Sequence, residues 1–136
     1  MLNDIPSALQ KRIDAIEEAF EFMLAYAAQG RDREDESESG GIRTFLANAG
    51  QALDGLRAVA EDRISAIAKD DEDQWVAYLD ILEADAVKAR ALIDFALAQP
   101  ILSSELVDNL NASSHIRALL TDIFLFDSAL KANEQA

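Results

Sequence analysis

Two long segments, about Ile42–Lys69 and Asp73–Ala98, repeat apolar residues at steps of three and four and contain no proline. That spacing lines up one side of an α-helix, whereas a half-buried strand would alternate. Gly50 and Gly55 are their only interior glycines, and Pro100 closes the second segment. At a rise of about 1.5 Å per residue, each arm would reach about 40 Å. The acidic corner Lys69-Asp70-Asp71-Glu72-Asp73 joins them. The chain is therefore expected to build on a helical hairpin whose apolar seam the remaining segments must cover.

The first arm carries its stripe on Phe45, Ala49, Leu53, Leu56, Ala60, Ile64 and Ile67. The second carries Trp75, Tyr78, Leu79, Leu82, Ala86, Ala89, Leu92, Ile93, Ala96 and Leu97. Val76, Ile81, Val87 and Phe95 widen that face beyond what one partner helix needs, so it is expected to meet two neighbours or another subunit. Upstream, Leu9, Ile13, Ile16, Phe20, Leu24 and Ala27 predict a first helix, with Asn3 or Asp4 as its N-cap and Gly30 as its C-cap. Beyond Pro100, Ser103 or Ser104 can cap a short helix over about Ser104–Leu110, and Ser113 a last one over about Ser114–Lys131. Together these two pieces match one arm and read as a broken fourth helix. The expected fold is all-α: an up-down-up-down four-helix bundle with a long central helical hairpin, forming a single domain over 1–136. The stretch 31–41 has no apolar residue to bury and reads as an acidic flexible loop.

A chain of 136 residues can bury a real core. Its apolar runs never approach the ~18 residues of a membrane span. Met1–Pro6 has neither a basic nor an apolar leader region, so no signal peptide is expected and a cytoplasmic location is the default. Cysteine is absent, which removes disulfides, thiolate metal sites and cysteine nucleophiles. Against 12 Lys and Arg stand 26 Asp and Glu, a net charge of −14. Such a field disfavours direct contact with nucleic-acid phosphate or anionic lipid and attracts basic surfaces.

Catalytic patterns are sparse. The single histidine, His115, has Ala112 where a di-iron bundle would need Glu, and it is followed by Ile-Arg-Ala-Leu. Histidine phosphotransfer bundles resemble His-x-Leu-Lys-Gly at that point, so the motif is not met. Glu17-Glu18-Ala19-Phe20-Glu21 resembles the first motif of the all-α nucleotide pyrophosphohydrolases. That resemblance implies carboxylates one turn apart holding Mg²⁺ against phosphates. The family's downstream Glu-x-x-Asp is missing; only the reversed Asp80-Ile-Leu-Glu83 is present. Leu9–Glu17 is similar to the first helix of helical chorismate mutases, but no further motif of that family follows. One histidine supports no hydrolase triad, and Gly40-Gly41 is a joint before a helix, not a phosphate cradle. Asn111-Ala112-Ser113 fits a glycosylation sequon but lacks a secretory context.

These features predict a non-enzymatic acidic helical interaction module, without cofactor or metal: an adaptor, regulator or inhibitor that mimics nucleic-acid charge toward a basic or nucleic-acid-binding protein. The carboxylates expected to carry it are Asp32, Glu34, Asp35, Glu36 and Glu38, with Asp70, Asp71, Glu72 and Asp73. The alternatives are a self-associating structural protein, for instance a homodimer through the hairpin, and a Mg²⁺-dependent pyrophosphohydrolase using Glu17, Glu18 and Glu21.

Overall fold

The computed structural model describes residues 7–34, 41–67 and 70–135. Among them are six helices and no strand: α1 (Ala8–Ala27), α2 (Ile42–Leu53), α3 (Leu56–Ile67), α4 (Glu72–Leu97), α5 (Ser104–Ala112) and α6 (Ser114–Gln135). They pack as a helical bundle. α1 lies against α2, α3 and α5, while α4 lies against α2, α3, α5 and α6. Most of the stripe residues read from the sequence join one core that includes Ile13 and Ile16 of α1, Ala60 of α3, Leu82 and Ile93 of α4, Val107 of α5 and Phe126 of α6. Leu24, however, is exposed while Met23 and Tyr26 are buried in its place, and Leu46 of α2 is fully buried where Phe45 is only partly so. Each large apolar side chain fully removed from water contributes about 1.5–3 kcal/mol.

The first helix starts later than expected. Ser7 is the N-cap, its side chain accepting from the Gln10 N–H at 3.0 Å. Asn3 and Asp4, the expected caps, lie outside the described residues. Gly30 does take a left-handed φ of +64°, two residues beyond the cap at Ala28.

The first hairpin arm is not one helix. It breaks at Asp54 and Gly55, where Asp54 is extended (ψ 122°) and Gly55 is left-handed (φ +74°). Ala49, Leu53, Leu56, Ala60 and Ile64 stay buried on both sides of the break. The apolar spacing thus runs through a two-residue interruption without losing step. Arginines from two other helices meet carbonyls at the end of α2, among them Gly50 O, which also accepts from the Asp54 N–H at 3.2 Å. Arg12 Nη1 donates to Gln51 O (3.3 Å), Ala52 O (3.1 Å) and Asp54 O (2.5 Å), and Arg90 Nη1 donates to Gly50 O. A cation here also suits the negative end of the helix dipole. The two glycines therefore do different jobs. Gly55 makes the turn, and Gly50 lets Arg90 approach: a Cβ there would lie 3.2 Å from Arg90 Nε.

The expected break before the last helix is present. Ser103 caps α5 by accepting from the Leu106 N–H at 3.1 Å, and Ser113 Oγ accepts from the His115 N–H at 3.3 Å. Both helices run a little further than their apolar patterns, to Ala112 and Gln135. Asn111, the sequon residue, is buried within α5.

Candidate functional site

The acidic residues singled out from the sequence divide into two structural kinds. Asp70, Asp71, Glu72 and Asp73 are all exposed, and no ion pair reaches them among the described residues. Glu72 and Asp73 sit in the first turn of α4, where a carboxylate gains about 0.3–1 kcal/mol from the helix dipole. Asp71 holds the cap position without a side-chain capping bond. Asp32 is likewise exposed. Asp35, Glu36 and Glu38 lie outside the described residues.

Glu34 differs. It is half-buried, 2.6 Å from Arg43 Nε, and it accepts from the Leu102 N–H at 2.7 Å. Arg43 also donates to Leu97 O (2.9 Å) and Gln99 O (2.8 Å), closing the end of α4. Burial pushes the Glu34 carboxyl up, but the Leu102 and Arg43 hydrogen bonds outweigh it and hold it below its ordinary value. Nearby, the Arg31 N–H donates to Ser104 Oγ (2.8 Å) and the Ser104 N–H to Arg31 O (2.9 Å). Tyr26 Oη donates to Leu102 O (2.5 Å). At Arg31 and Glu34, then, polar pairing does the anchoring that apolar residues could not. Glu34 sits by the C-terminal end of α4 and Asp70–Asp73 by its N-terminal end, so a 26-residue helix, about 39 Å long, separates them.

Several arginines are paired within the chain. Arg12, Arg43 and Arg90 bond backbone carbonyls at helix ends. Arg57 joins α3 to α4 by meeting Glu61 (2.8 Å), Asp80 (2.7 Å) and Glu83 (3.1 Å), which raises its already high pKa further. Arg63 reaches Glu134 at 2.9 Å. With these cations held by internal partners, carboxylates dominate the solvent side.

One cluster went unseen in the sequence. Across the α4–α6 contact, Asp122 faces Asp85, and Tyr78 Oη donates to the Asp122 carbonyl. Asp122 Oδ2 is buried and, among the described residues, has no donor. Burial first, then the hydrogen bond and charge of Asp85, raise the Asp122 carboxyl to about 7. Burial, with Asp122 and Asp85 nearby, also raises the Tyr78 phenol. Two carboxyls so placed favour sharing a proton over both ionising. Asp85 and Asp122 are 37 positions apart and share no motif, so only the packing of α4 on α6 discloses them.

The remaining candidates stay apart. Glu17 is half-buried while Glu18 and Glu21 are exposed; burial, Asp127, Asp14 and Glu21 raise the Glu17 carboxyl. His115 is exposed at the start of α6. Among the described residues no three His, Asp or Glu side chains are grouped so as to hold a metal ion, and no helix is long and apolar enough to cross a membrane. A shallow groove of about 250 Å³ lies where the α2–α3 break faces α4, with Leu53, Leu56, Leu82 and Ala86 in its lining and Arg57 and Arg90 beside them. Compared with protein-family profiles, curated proteins and solved structures, the chain returns no match.

Proposed function

We propose that this chain is a non-enzymatic, acidic protein-interaction module that engages a basic partner protein as adaptor, regulator or inhibitor. The observation that supports the reading is the asymmetry of charge use. Arg12, Arg43, Arg57, Arg63 and Arg90 are engaged within the fold, while Asp70, Asp71, Glu72 and Asp73 face solvent at one end of α4. The architecture fits an up-down-up-down bundle, with α2 and α3 as one broken arm and α5 and α6 as another. Its rigid helix ends would hold the carboxylates at fixed spacing, and nucleic-acid-binding surfaces, which are built for phosphates, are the natural class of target.

Affinity capture at low and high salt tests the proposal, with a variant in which Asp70, Asp71 and Asp73 become Asn and Glu72 becomes Gln run alongside. A basic protein retained at low salt, released at high salt and lost by the variant is the expected result, because exposed charge pairs are screened beyond about 8–10 Å at physiological ionic strength. Equal capture by the variant, or capture indifferent to salt, would remove the electrostatic reading.

A further inference from the structure

Four large apolar side chains stand exposed on α4: Val76, Ile81, Val87 and Phe95. Opposite its buried face, α4 presents Ala77, Ile81, Ala84, Lys88, Ala91, Phe95 and the C-cap residue Ala98, every one exposed. Their steps are four, three, four, three, four and three, the alternation of a coiled-coil seam. Among the described residues α4 is covered on one side only, and a helix so covered does not need a heptad on the other.

The seam is also self-complementary in one orientation. Two copies run antiparallel about a two-fold axis midway between Lys88 and Ala91 would set Ile81 against Ala98, Ala84 against Phe95 and Lys88 against Ala91. Every large side chain then meets an alanine, and alternating large and small residues interdigitate. The Lys88 ammonium would lie one turn from Asp94 of the second copy, a carboxylate that is 57% exposed and, among the described residues, paired with Arg90 at 3.2 Å. A parallel pair would instead place Lys88 on Lys88 and alanine on alanine. Size and charge thus both select the antiparallel arrangement, in an isologous contact as closed dimers require.

We infer that the outer face of α4 is a homodimer interface, two copies of this chain packing antiparallel along Ile81–Ala98. This does not rest on the acidic-partner reading. The strip is one helix wide, about 10 Å, and about 26 Å long, which places it among small interfaces below about 1,200 Å² and makes the association concentration-dependent. Each copy carries a charge of −14, so added salt strengthens the dimer. Binding of a basic partner changes with salt in the opposite sense.

Sedimentation velocity over a concentration series, at low and high salt, reads this directly. The wild-type chain is expected to shift toward twice the monomer mass with concentration, and more readily at high salt. Phe95 is 66% exposed, so Phe95→Glu keeps the helical circular dichroism of the parent while weakening association on the order of tenfold or more. Lys88→Glu and Asp94→Lys should each weaken it, and the double exchange should recover much of the loss. A chain that stays monomeric throughout, or a dimer indifferent to Phe95→Glu, would overturn the assignment of this face. Failure of the double exchange to recover association would overturn the antiparallel register.

Discussion

At the scale of single residues, Asp122 gives the clearest measurable signature. Its folded-state pKa of about 7 lies well above an ordinary aspartate. Between about pH 4 and pH 7 the folded chain therefore keeps a proton that the unfolded chain has released, and stability falls as pH rises through that window. Asp122→Asn is neutral at every pH and loses this slope. Discounting for partial exposure, the variant is expected to be more stable than the parent by about 1–2 kcal/mol at pH 8 and indistinguishable near pH 4. Urea denaturation at both pH values measures it; equal stabilities at pH 8 would mean that Asp122 ionises without strain. Glu34 acts with the opposite sign. Its depressed pKa contributes stability above the ordinary glutamate range, which is lost as pH falls through the folded value. Backbone geometry supplies a second residue-scale test. Gly55→Ala forces a Cβ into a left-handed conformation and is expected to cost about 1–2 kcal/mol, although among the described residues Arg12 Nη2, at 3.9 Å, is the only atom close to the new methyl. Thermal unfolding of Gly55→Ala beside Gly55→Asn separates the two causes, since Asn tolerates that conformation better.

The elements show how far sequence reaches and where it stops. Burial of long helices leaves a three-and-four rhythm, so the first helix, the second hairpin arm and the Ser103-capped break were legible from apolar spacing and turn chemistry. The break at Asp54–Gly55 was not, because Leu53 and Leu56 are three apart and continue the rhythm across it. Gly50 and Gly55 looked alike in sequence; the backbone separates a close approach from a turn. Polar partnerships such as Glu34 with Leu102, or Asp85 with Asp122, carry no periodic signal, and they arise only once distant segments pack. At the end of α2, Arg12 reaches the carbonyls of Gln51 and Ala52 and that of the cap residue Asp54; the Ala52 bond is part-buried and the other two are exposed. Arg12→Ala is expected to destabilise the fold by about 1 kcal/mol, chiefly through the part-buried Ala52 carbonyl, since water can replace the donor at the two exposed ones. Arg12→Lys should recover only part, because a single ammonium lacks the guanidinium's fork of donors. Amide hydrogen exchange resolves the site: faster exchange confined to the end of α2 and the start of α3 is expected, and uniform acceleration would deny Arg12 a local role.

For the whole molecule, the contest is between repulsion among 26 acids and the ion pairs that 12 bases can form. Salt screens both. Arg57 with its three carboxylates, Arg63 with Glu134, Arg90 with Asp94 and Lys131 with Asp127 lie at the surface, where such pairs contribute little, while Arg43 with Glu34 is part-buried. The arginine bonds to the carbonyls of Ala52, Gly50, Leu97 and Gln99 are part-buried and less open to screening. Repulsion is spread over every helix and grows with net charge, so its relief should win. Raising monovalent salt from about 0.01 to about 0.15 M, which shortens the screening length from about 30 to about 8 Å, is expected to raise the melting temperature by several degrees. The chain should be kept dilute enough to remain monomeric, so that mass action from self-association does not contribute to the shift. A fall in melting temperature would show that the surface pairs outweigh the excess charge. An arginine-to-lysine series at positions 57 and 63 would then identify which of them carries the balance, since only a bidentate or branched contact loses appreciably on that exchange.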